Sequence, residues 1–144
     1  MATERRAEVT WQGSLMEGGG TIESVGSGAF GPLDVTWTSR AKEPAGRTSP
    51  EELIAAAHAA CFSMALSHGV GEAGSATERL DTSAVVTFEP GTGITKIALA
   101  VRGRVPGLDE ARFREVAEGA KENCPVSQAL AGVGEITLEA SLES

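Results

Sequence analysis

The sequence predicts an α+β protein on three observations. Short alternating segments broken by glycine fill its first third, an apolar helix with a clear start follows, and the chain closes on a cleanly alternating strand. No repeated strand–helix–strand alternation suggests a parallel nucleotide-binding sheet, and neither a GxGxxG nor a Walker sequence occurs. At 144 residues the chain is most simply one domain, 1–144, able to bury roughly two-thirds of its unfolded surface.

The elements follow in order. AEVTWQG alternates, with Val9 and Trp11 on one face; MEGGGT is a turn; TIESVGSGAFG is a glycine-broken strand. LDVTWTSR alternates again, with Val35 and Trp37 sharing a face, and ends at Arg40. AKEPAGRTS, with Pro44 and Gly46, reads as a loop. Ser49 then caps a helix whose first position is Pro50, and Glu52 stands where a capping box needs it. From Leu53 to Leu66 only His58 and Ser63 interrupt apolar or small residues. A helix apolar on every side is expected to be buried, and this one is expected to fade at Gly69 or Gly71.

SAVVTFEP and ITKIALAVRG are two strands around a turn at Gly91 and Gly93, the second presenting Thr95, Ile97, Leu99 and Val101 on one face. GLDEARFREVAEGAKEN is an amphipathic helix with Phe113, Val116, Ala117 and Ala120 at helical spacing; Asp109 and Glu110 in its first turn and Lys121 near its end complement the dipole. A short helix from Pro125 to about Leu130 precedes the last strand, GEITLEASLE, which turns Ile136, Leu138, Ala140 and Leu142 inward.

Charge and cysteine usage limit the function. The net charge is −8, from 20 acidic against 12 basic residues. Without a basic cluster, neither nucleic acid nor an anionic membrane is an expected partner. No run is expected to reach the ~18 apolar residues of a membrane span. MATERRAEVTWQGS lacks the apolar stretch of a signal peptide, so the expected compartment is the cytoplasm. In a reducing compartment a cysteine pair points to redox chemistry more than to a structural staple.

The chain has only two cysteines, Cys61 and Cys124. Cys61 shares a helical stripe with Leu53, Ala57, Met64 and His68, and on the helix alone it reads as a small core hydrophobe. Cys124 directly precedes Pro125, where it faces the unpaired N–H groups of a helix start; that position favours the thiolate over a thiol of reference pKa about 8.5, and a residue that merely caps a kink between two helices reads equally well there. A thiol with a second thiol able to condense with its oxidised form is the minimum apparatus of a peroxide-reducing site. Arg40, Arg47, Glu51 and Glu52 are the polar residues able to activate a thiol, because an arginine held by a carboxylate supplies a cation without losing its proton. Glu51 precedes Cys61 by just under three turns and points in a similar direction. His58 stands one turn before Cys61; with no third group to complete a triad, it reads as packing or bonding to a neighbour. No paired-ligand spacing occurs, so neither a metal nor another cofactor is expected.

SPEELIAAAHAACFSMALSHGVGEAG and NCPVSQALAGVGEITLEASLES resemble the OsmC/Ohr family, the osmotically inducible and organic-hydroperoxide-resistance proteins, and most closely its osmotically inducible branch. The likeness runs from WQGSLMEGGGTIESVGSG through WTSRAKE to the last strand. It implies an intertwined homodimer in which antiparallel sheets pack around long buried central helices, with active sites at the subunit interface. It also implies a thiol peroxidase that reduces organic hydroperoxides. Carried over by motif, Cys61 of HAACF corresponds to the peroxidatic cysteine and Cys124 of CPVS to the resolving cysteine. Glu51 of PEEL corresponds to the family's carboxylate. Arg40 of WTSR corresponds to the arginine this branch supplies before the helix, with Arg47 the other candidate. The implied cycle passes through a Cys61 sulfenic acid and a Cys61–Cys124 disulfide, and a lipoyl-type dithiol resets it. Two other readings stay open: a hydrophobic-ligand or stress-binding protein with incidental cysteines, and a thiol redox sensor without turnover.

Overall fold

The structure is a computed structural model that describes residues 1–143. The chain divides into two compact units, Met1–Leu53 and the part from Ile54 onward.

The first unit holds an antiparallel sheet of β1 (Ala7–Gln12), β2 (Gly19–Val25) and β3 (Leu33–Val35), in that order. A bulge between Glu8 and Val9 breaks the β1–β2 register. Ile22 is buried, whereas Val9 and Trp11 on β1 remain 62% and 41% exposed. These two residues of the shared face are thus exposed among the described residues. Gly20 gives room to the Trp11 ring, which a Cβ there would approach to 2.7 Å.

The third predicted strand is shorter than its alternation suggests. After Val35 the chain turns into the short helix α1 (Trp37–Ala41), which includes the Arg40 position read as a strand end. The reason is local. Thr36 accepts a hydrogen bond from the Ser39 amide and Ser39 Oγ accepts one from the Thr36 amide, a full capping box that overrides the β-preference of Trp and Thr.

Helix α2 (Pro50–Glu72) starts as predicted, with the Ser49 hydroxyl accepting from the Glu52 amide. The reciprocal half of the predicted capping box is absent, since Glu52 accepts a hydrogen bond from Thr48 Oγ1 instead. The helix does not fade at Gly69 or Gly71 but runs through both. Gly69 permits a close approach: a Cβ there would lie 2.9 Å from Val116 Cγ1. At 23 residues and mean hydropathy 1.4, α2 is long and apolar enough to cross a membrane by length and composition, contrary to the expectation that no segment reaches that limit. The core helix of a soluble protein passes the same test, which rests on length and composition alone.

In the second unit β4 (Arg79–Glu89) pairs antiparallel with β5 (Gly93–Arg104), as the turn predicts, and β6 (Ile136–Leu142) pairs with β5 in parallel. The sheet is thus mixed where antiparallel pairing was expected. A parallel neighbour needs a crossover, supplied by α3 (Glu110–Asn123) and α4 (Pro125–Ala129). Asp109 caps α3 by accepting from the Arg112 amide, one position before the first turn in which it was placed.

One core gathers Phe62, Leu66 and Val70 of α2, Ile97, Leu99 and Val101 of β5, Phe113, Ala117 and Ala120 of α3, and Cys124. Each large apolar side chain buried there contributes about 1.5–3 kcal/mol. Gly103 on β5 makes room for the Phe113 ring, which a Cβ would approach to 2.7 Å. The expectation of α2 as a fully buried helix fails in the single chain: Ala56, Ala57, Ala60 and Met64 lie exposed, Met64 by 72%. The architecture is α+β, as predicted.

Candidate active site

In the first unit the fold assembles an ion pair. Thr48 bridges to Val35, and the Ser39 hydroxyl donates to the Thr48 carbonyl at 2.9 Å, so the loop returns against α1 just before α2 begins. Arg40, next after Ser39, then meets Glu51 in the first turn of α2. Its Nε lies 3.0 and 3.1 Å from the two carboxylate oxygens and its Nη2 2.8 Å from Oε2. This forked geometry is the strong form of an arginine–carboxylate pair. Glu51 is buried and Arg40 half-buried. Arg47 is exposed in the Pro44–Arg47 turn, and among the described residues it forms no ion pair. Of the two candidate arginines, Arg40 is the one joined to the carboxylate.

In the second unit Cys61 and Cys124 are both free thiols, and each perturbs the titration of the other. Cys61 is half-buried on α2. Cys124 is fully buried, ending α3 and starting α4, with Pro125 in the first turn that follows it. Burial pushes the Cys61 thiol up, the neighbouring Cys124 side chain pushes it further, and the Val126 amide opposes them. Burial raises Cys124 too, but Cys61, the amide and hydroxyl of Ser127 and the Val126 amide together bring it below its ordinary value. Its side chain closes no capping hydrogen bond, so these groups act as nearby dipoles. Within the pair, the contact favours thiolate on Cys124 and thiol on Cys61.

Beside the thiols lies a polar contact between residues 69 positions apart: His58 Nε2 stands 2.7 Å from Ser127 Oγ. His58 is completely buried, its pKa is lowered by desolvation, and its Nδ1 has no partner among the described residues. From the sequence His58 was expected to pack or to bond an unnamed neighbour; it bonds Ser127, which the sequence did not single out. The available signal was its position three residues after Cys124, where cap and third helical residue adjoin.

Cavity size does not mark the thiols. A groove of about 1010 Å³ over β4, β5 and β6 is lined by Arg102, Arg114, Glu118 and Glu139 and holds no cysteine. A smaller one of about 360 Å³ is lined by Lys121, Glu122, Gln128 and Ser127. Among the described residues no group of three or more His, Cys, Asp or Glu is placed to hold a metal ion.

A family model described as OsmC-like protein matches residues 43–139. The chain is 43% identical, over the full length of both proteins, to peroxiredoxin OsmC of Escherichia coli strain K12. The chain belongs to the OsmC family. It is also 30% identical to the organic hydroperoxide resistance protein OhrB of Bacillus subtilis over 74% of this chain and 79% of that one. The crystal structure of OhrB of Bacillus subtilis superposes with a TM-score of 0.64 at 26% identity, covering 96% of this chain and 98% of that chain. These OsmC relatives support a peroxidase-type role for the chain.

Proposed function

We propose that this protein reduces organic hydroperoxides to alcohols through its two thiols. The observation that carries the reading is the meeting of the only two cysteines, Cys61 half-buried and Cys124 fully buried, in one mutually perturbed pair.

The Cys61 thiolate attacks the terminal oxygen of the hydroperoxide, the O–O bond breaks, and the alkoxide leaves as the alcohol after taking a proton. Cys61 is then a sulfenic acid. The Cys124 thiolate attacks its sulfur; the S–O bond breaks, hydroxide leaves and is protonated to water, and a Cys61–Cys124 disulfide remains. A dithiol of lipoyl type reduces that disulfide by two thiol exchanges and departs oxidised.

Burial and the neighbouring Cys124 push the Cys61 thiol up, so a cation that stabilises its thiolate favours the first step. The Arg40 guanidinium, fixed by the buried Glu51, is the group we assign to that role. A second copy of the chain covers the exposed apolar face of α2, giving a homodimer with the substrate's alkyl group held among apolar walls. Hydrogen peroxide gains little from such walls, which sets the preference for organic substrates.

The test is steady-state consumption of cumene hydroperoxide and of hydrogen peroxide with dihydrolipoamide as reductant. Wild type should turn over the organic substrate faster. Cys61→Ser should abolish turnover and Cys124→Ser should impair it. A folded, reduced protein with no turnover overturns the reading.

A further inference from the structure

The buried polar pair beside the thiols has no part in that cycle, and its geometry gives it one. We propose that His58 and Ser127 are positioning residues for the resolving step: His58 orients the Ser127 hydroxyl so that it donates to the Cys124 sulfur. The proposal rests on the peroxidase reading for its consequence but not for its geometry.

Three observations carry it. His58 is completely buried, and its Nε2 lies 2.7 Å from Ser127 Oγ. Ser127 is the third residue after Cys124 on α4, the spacing at which a cap and a third helical residue adjoin, and its hydroxyl is among the groups that draw the Cys124 thiol down. The remaining ring nitrogen, Nδ1, is buried without a partner among the described residues.

The unpartnered nitrogen decides the direction of the chain. A buried N–H left unmet is the rarer and costlier defect, so the bare lone pair belongs on Nδ1 and the proton on Nε2. His58 Nε2–H then donates to Ser127 Oγ. The hydroxyl has a single proton, and with its oxygen already accepting from His58 it turns that proton toward Cys124. An apolar side chain of similar size would fill the site without an orphaned polar atom. What the imidazole adds is this one oriented bond. The chain favours thiolate on Cys124, the species that attacks the Cys61 sulfenic acid. The other groups acting on that sulfur are Cys61 from α2 and the amides of Ser127 and Val126.

Ultraviolet thiolate absorbance of Cys124, titrated in a Cys61→Ser background, tests the idea without peroxide. Ser127→Ala should raise the titration midpoint by about one pH unit, a tenfold loss of thiolate below it. His58→Leu should raise it by less, and His58→Gln, which keeps a donor, should restore most of the shift. In protein retaining both cysteines, one equivalent of cumene hydroperoxide should form sulfenic acid at the wild-type rate in Ser127→Ala. Disulfide closure should then run about tenfold slower. A midpoint unmoved by Ser127→Ala overturns the proposal, and that variant alone decides if His58→Leu does not fold. Failure of wild type to form sulfenic acid overturns the peroxidase reading instead.

Discussion

Helices α2 and α3 belong to the same core yet present opposite outer faces. α3 buries Phe113, Ala117 and Ala120 and turns Arg112, Arg114, Glu115 and Glu118 to solvent, with ion pairs along its own surface. α2 buries His58, Phe62, Leu66 and Val70, but its other side carries Ala56, Ala57, Ala60 and Met64 into solvent. One helix has a finished surface and the other does not. A small-residue face with an exposed methionine suits close approach by another apolar surface, and this is why we assign α2 to the dimer contact.

The largest break in that comparison should come from Met64→Glu. It places a charge in the assigned contact and should raise the dimer dissociation constant at least ~100-fold, read by sedimentation velocity. A wild-type protein that sediments as a monomer would end the contrast between the helices. Next in size is Phe113→Ala, which should cost about 3–5 kcal/mol by urea denaturation, whatever the protein concentration. Met64→Ala should instead cost an amount that grows with concentration, because the partner we assign to it is another chain.

Removing the α3 cap with Asp109→Ala should cost about 1 kcal/mol. Ser49→Ala at the start of α2 should cost a similar amount, showing that the helices differ in their faces and not in their ends. The smallest effect is a pH dependence. Burial lowers His58 in the fold, so it stays neutral there and charges more readily when unfolded. The resulting stability is present above the ordinary value of 6.5 and is lost as pH falls below it. Urea midpoints should drop on acidification in wild type and less in His58→Gln.

What the sequence revealed follows from how local each signal is. The start of α2 was legible because Ser49 and Pro50 act on their immediate neighbours, and β6 because its alternation needs no partner. Alternation names a face and not a neighbouring strand, so the parallel pairing of β6 with β5 was not legible. WTSRA has strand-forming residues at strand spacing, and only the Thr36–Ser39 box makes it helical. Gly69 resembled a stop signal because Val116, its reason, is distant in the chain. In the candidate site the cysteines stood out by scarcity, and Arg40 and Glu51 by motif. Ser127 did not, since a serine in a first helical turn is ordinary until His58 is found against it.

The two glycines that seat α3 bear on more than packing. α3 lies against Gly69 of α2 and Gly103 of β5, and a methyl group at either would force Val116 or Phe113 to retreat. Cys124 terminates that same helix. Where those side chains do not yield, the shift passes along α3 to its end, so the approach of the second sulfur to the first is expected to depend on two missing side chains that touch neither. Alanine at Gly69 or Gly103 would thus alter the chemistry by leverage, with every reacting atom still in place.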